Sequence, residues 1–108
     1  MQAQHESLAT GRWHTFSLAE QMGNIGSEMS RAVRAGTDRA RRDAAVDRGR
    51  ELLDLTIADP RWRTRLRELT RVRELIGDAS FGGVAYGTTF ADLDHYFYPF
   101  ACAAQAQR

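Results

Sequence analysis

The chain contains no lysine: all 15 of its basic residues are arginine. Two readings of that absence are open. One is selection for guanidinium groups, whose planar fork grips phosphate and carboxylate in pairs of hydrogen bonds. The other is a GC-rich coding bias, which the 16 alanines, nine glycines and single Asn24 favour. The missing lysine also excludes a familiar phosphate site. Gly82, Gly87, Thr88 and Thr89 have the spacing of a phosphate-cradling loop, but that pattern needs a lysine after the second glycine and a strand before the first. Cysteine is nearly absent too. Cys102 cannot form a disulfide within the chain, which implies a reducing, cytoplasmic setting. With no histidine or basic helix start beside it, Cys102 reads as a small apolar filler rather than a nucleophile. No apolar run reaches the roughly 18 residues that a membrane span requires. Residues 1–14 show no basic segment followed by an apolar one, so no secretory signal is expected. Alternating apolar residues, the mark of a strand, are missing throughout.

What remains is one small helical domain. At 108 residues a chain hides only about two-thirds of its unfolded surface, so association with a second copy would help it. Net charge is +1 but unevenly spread: residues 1–30 carry −2, residues 31–73 carry +6 and residues 74–108 carry −3. Residues 1–15 read as a flexible arm and residues 16–108 as a single helical-bundle domain.

Four helices are expected. The first opens on a capping box, Ser17 with Glu20. Leu18, Met22, Ile25, Met29 and Ala32 then form one apolar seam, and Gly36 ends it. Gly23, Gly26 and Ser30 lie along a flank of that seam. Glycine inside a helix costs about 1 kcal/mol against alanine, so the pair asks for close backbone approach by another helix. The second helix runs from about Asp38 to Ala58. Its charges are expected to cancel locally in pairs such as Arg39–Asp43 and Arg50–Asp54. Asp59-Pro60 opens the third, with Trp62, Leu66, Leu69, Val72 and Ile76 on its apolar face and Gly77 closing it. A glycine-rich loop, GDASFGGVAYGT (77–88), leads to a second capping box, Thr89 with Asp92. The fourth helix buries Phe90, Leu93, Phe97, Phe100 and Ala104, and Pro99 implies a kink or break near Tyr96. The fold class is therefore all-α, an up-and-down four-helix bundle.

Three segments, SLAEQMGNIGSEMSRA (17–32), ELLDLTIADPRW (51–62) and FGGVAYGTT (81–89), resemble a group of small bacterial all-helical proteins of unknown function, across most of residues 13–104. That resemblance implies the helical fold and carries over no functional residue. More loosely, Asn24-Ile25-Gly26 with Arg31 and Arg34 is similar to the four-helix-bundle proteins encoded in ribosomal-RNA intervening sequences and their retroelement-associated relatives. Those imply a basic, oligomeric bundle linked to nucleic acid.

Three functional readings follow. The first is a non-catalytic bundle, a homo-oligomer acting through self-association and partner binding. Its candidate interface joins Gly23, Gly26 and Ser30 to Tyr96, Tyr98 and Phe100, because His95-Tyr96-Phe97-Tyr98-Pro99-Phe100 holds more rings than one core face absorbs. The second is an RNA-binding bundle, with Arg63, Arg67 and Arg71 as a stripe opposite the apolar face of the third helix. Arg65 and Arg73 fall at the edges of that face and are expected to meet carboxylates or reach for water. The third is a metal site around Asp92 and His95, one turn apart; it would need carboxylates from facing helices. No cofactor, catalytic residue, small-molecule substrate or membrane contact is expected.

Overall fold

A computed structural model of the chain describes residues 11–107. Residues 11–13 are helical, and four longer α-helices follow, α1 (Leu18–Arg34), α2 (Arg39–Ile57), α3 (Leu66–Ser80) and α4 (Phe90–Ala106), with a 3-10 segment (Pro60–Arg65) between α2 and α3; there is no strand among the described residues. The helix starts follow local chemistry. Ser17 Oγ accepts from the Glu20 amide at 3.1 Å while Glu20 Oε1 accepts from the Ser17 amide at 3.0 Å. Thr89 and Asp92 repeat the exchange at 3.1 and 3.0 Å before α4. Asp38 caps α2 through the Arg41 amide at 3.2 Å, and Gly36 turns the chain at φ +57°.

The third helix departs from expectation at both ends. Asp59 caps it, accepting from the Arg61 amide at 3.1 Å, but the next six residues wind as 3-10 helix and Trp62 leaves helical geometry (φ −103°, ψ 25°). A 3-10 helix turns in about three residues rather than 3.6, so the register drifts. Leu66, expected on the buried face, is exposed, and Leu69, Val72 and Ile76 carry the packing instead. At the far end α3 runs on through Gly77, which is helical, to Ser80. The loop is correspondingly shorter. Pro99, exposed, lies inside an α4 that continues to Ala106; it removes one backbone bond without breaking the helix.

Helix α1 is the central element, packed along its length on α4 and on α2, while α3 lies against α2 and touches α4 much less. The contacts pair antiparallel. Gly26 faces Phe97 and Gly23 faces Ala101 of α4, while Met29 and Glu28 face Gly49 of α2. Between these helices lie the fully buried Met22, Ile25, Met29, Leu53, Leu69, Ile76 and Phe97.

The expected arm of residues 1–15 needs correcting where it is described; residues 1–10 lie outside the described ones. Trp13 is 5% exposed and its Nε1 donates to Thr56 Oγ1 at 3.0 Å, 43 residues away. Packed structure thus begins before residue 16, and a polar cluster ties it down. Gln21, fully buried, donates to the Trp13 carbonyl (2.9 Å) and Asp59 Oδ2 (3.2 Å) and accepts from Trp62 Nε1 (2.9 Å). Arg61 clasps Asp59 at 2.7 Å and also donates to the Phe16 carbonyl at 2.7 Å. The Arg61 hydrogen bond outweighs the opposing effect of burial and holds the Asp59 carboxyl far below the usual carboxylate range. Paired in this way, the buried polar atoms hold their positions instead of penalising the fold.

Candidate interaction surface

Asp78, in the last turn of α3, organises the loop that follows. An acid there opposes the helix dipole, yet Asp78 is buried and its carboxylate accepts from the amides of Ala85 (2.8 Å), Tyr86 (3.1 Å) and Thr88 (3.0 Å). Its own carbonyl takes the Gly83 amide at 2.8 Å. Burial works against the charge, and the hydrogen bonds from Thr88, Ala85 and Tyr86 overcome it, so the carboxyl sits below its ordinary range. The tight path needs Gly82 (φ +82°), Gly83 (φ +74°) and Gly87 (φ +71°). At Gly83 space forbids a side chain as well, since a Cβ would sit 2.9 Å from the Thr88 carbonyl oxygen. The loop amides that could have cradled a phosphate are already held by an internal carboxylate.

That fixed backbone turns apolar groups outward. Phe81 is 80%, Val84 87% and Tyr86 56% exposed. Beside them runs a shallow groove of about 510 Å³, lined by Glu74, Gly77, Asp78, Ala85 and the same three side chains. The Tyr86 ring lies 4.5 Å from the Arg71 guanidinium carbon, a cation–π contact. Sequence reading misses Val84 and Asp78 here. The available signal was an acid one turn before a run of glycines.

The α4 rings divide differently from expectation. Phe97 is buried, and Tyr96 and Phe100 are half-buried against the core. The Tyr96 hydroxyl donates to Glu68 Oε2 at 3.0 Å, bridging α4 to α3. Burial first, and that hydrogen bond second, push the Tyr96 hydroxyl well above its ordinary value. Tyr98 alone stays largely exposed, at 68%. Of the glycine flank, Gly23 and Gly26 are buried by α4 of the same chain. Ser30, half-buried, edges a narrow groove of about 150 Å³ shared with Asp94 and Tyr98. The backbone approach that explains the glycines is thus met within the chain. Cys102, expected as filler, is exposed instead, on the outer side of α4.

The arginines of the third helix do not form one even stripe. Arg63 belongs to the 3-10 segment and Arg67 and Arg71 to α3, so the register between the first and the other two is broken. Arg63 and Arg67 have no ion pair among the described residues, whereas Arg71 meets Glu74 at 3.3 Å. Arg65 reaches Glu68 and Arg73 reaches Asp54, each at 2.6 Å. Asp54 therefore serves α3, not Arg50 of its own helix. Asp43 meets its neighbour Arg42, at 3.5 Å. The Asp92 carboxylate is engaged in the α4 cap and His95 is exposed. Among the described residues no group of three or more His, Cys, Asp or Glu is placed to hold a metal.

No described helix is long and apolar enough to cross a membrane. Comparison with known protein families, with curated proteins and with solved structures finds no match.

Proposed function

We propose that this chain is a non-catalytic helical protein that works by self-association, and that the surface it uses is the α3–α4 loop. The observation that carries the reading is the exposure of Phe81 and Val84 on a backbone already fixed by Asp78. A loop ordered in advance loses little conformational freedom on binding, so the apolar surface it buries translates into affinity with a smaller offsetting cost. A second copy suits this face because knob and hollow lie side by side. Phe81 and Val84 project next to the groove that Gly77 and Ala85 help line, as a two-fold contact requires. The flanking charges, Arg71 and Glu74, are of opposite sign and would pair across such an axis. Tyr98 is a lesser contributor on another part of α4.

Sedimentation equilibrium tests this. The wild-type chain should dimerise with a dissociation constant of about 1–100 μM, as a small interface allows. A Phe81→Ser, Val84→Ser variant should be monomeric with unchanged stability. A wild type that stays monomeric at about 500 μM, far above that range, rules the reading out. In the same account the four α-helices form an up-and-down bundle in which the proline in α4 introduces a bend. The antiparallel pairing of α1 with α2 and α4, and the amide missing at Pro99, support that view.

A further inference from the structure

The antiparallel α1–α2 hairpin collects arginines that lie far apart in sequence. Arg31 and Arg34 from the last turn of α1, and Arg41 and Arg48 from α2, line a groove of about 350 Å³ with Ala35, Ala44 and Ala45. No acid lines it. Glu28, nearly buried, pairs with two of these arginines; its two oxygens hold Arg31 at 2.8 Å and Arg48 at 3.2 Å. With Asp38, whose carboxylate accepts from the Arg41 amide at 3.2 Å, four guanidinium groups stand against two carboxylates, an excess of two positive charges. Glu28 also positions two of the four, since each spends one donor on it and keeps the rest of its fork. Arg34 is tethered to Ser30 Oγ at 2.9 Å, and the Arg41 side chain has no hydrogen bond or ion pair among the described residues. At about 100° per residue, Asp43, Asp47 and Asp54 fall round the far side of α2 from Arg41 and Arg48, together with Arg39 and Arg50, while Glu51 falls to one flank. The far side of α2 thus mixes charges, and its groove-facing side is cationic.

We propose that this groove binds a compact phosphate-bearing anion, about the size of a diphosphate group. Guanidinium is the side chain best matched to phosphate oxygens, because it offers paired, parallel donors. The alanines between the arginines leave room, and the volume falls within the range of small-ligand sites. An extended nucleic-acid strand fits less well. The cations converge on one hollow, and the acids on the back of α2 interrupt any longer basic track. The site lies on the α1–α2 hairpin and does not depend on association through the α3–α4 loop.

The test is calorimetric titration with inorganic diphosphate at low and moderate salt. Saturable one-site binding that weakens as salt rises is expected. Replacing the two arginines that Glu28 does not hold, Arg34→Gln with Arg41→Gln, should weaken it about tenfold or more. Arg39→Gln with Arg50→Gln removes the same charge from exposed or half-exposed positions of α2 outside the groove, and should change affinity less than about twofold. A nucleoside diphosphate that competes with inorganic diphosphate supports the site and measures what the rest of the ligand adds. Absence of saturable binding, or equal losses in the two double variants, overturns the proposal. So does a single-stranded RNA oligonucleotide that binds and is not displaced by diphosphate.

Discussion

Glycine is used in opposite ways at the two ends of α4. Near its C-terminal half, Gly23 and Gly26 of α1 give up their side chains so that two helix backbones can close on each other, with Phe97 and Ala101 filling the space. Before its N-terminus, Gly82, Gly83 and Gly87 supply left-handed turns that push Phe81, Val84 and Tyr86 into solvent. One set hides surface and the other displays it. A glycine-rich stretch is therefore no guide to an interface until it is known whether the missing Cβ or the positive φ is being used.

The largest effect should come from the closed seam. A Cβ at Gly26 would lie 2.5 Å from Phe97 Cβ, too close to accept without movement, whereas at Gly23 the nearest atom, on the Ala101 backbone, is 3.3 Å away. Gly26→Val should cost about 3 kcal/mol or more in urea unfolding through overpacking. Gly23→Ala should stay within about 1 kcal/mol of neutral, because the gain in helix propensity offsets the squeeze.

Next comes the displayed end. Asp78→Asn leaves three loop amides sharing a weaker acceptor and should lower Tm by about 5 °C. The same contact has a pH signature. Because folding depresses the Asp78 carboxyl, its contribution is present above the ordinary carboxyl value near pH ~4 and is lost as the pH falls through the lower folded value. The amide resonances of Ala85, Tyr86 and Thr88 should report that loss together in an acid titration, while those of Gly23 and Gly26 stay still.

Smaller effects separate the loosely joined side of α4 from the tight one. Tyr96→Phe removes the hydroxyl bridge to Glu68, which keeps Arg65 as a partner, and should cost about 1 kcal/mol. The smallest change is a gain. Gly77 is helical with nothing within 4 Å of its Cβ position, so Gly77→Ala should stabilise α3 by up to about 1 kcal/mol. A loss there would mean that the open space is needed.

How much of this could be read in advance depended on distance along the chain. The caps at Ser17 and Thr89 were legible because donor and acceptor are three residues apart. The reason for Gly23 and Gly26 was legible, but not that Phe97 and Ala101 supply the partner, some 70 residues on. Trp13 looked like part of an arm because nothing local marks Thr56 as its acceptor. Leu66 was misplaced because the 3-10 winding after Pro60 ends only at Arg65, and the buried face of α3 begins at Leu69. Asp54 was assigned to Arg50 because only an inter-helix contact could bring Arg73 to it. Asp78 is legible only by its place one turn before a run of glycines, because the amides it binds carry no sequence signal of their own.

The most direct measurement is a dilution series of amide spectra on the wild-type chain. Resonances from residues 81–86, with Glu74 and Gly77, should shift together as concentration rises, and those of Gly23, Gly26, Arg63 and Arg67 should not. Spectra that stay constant over the series, or shifts concentrated on the α1–α4 seam or on Arg63 and Arg67, would contradict the account.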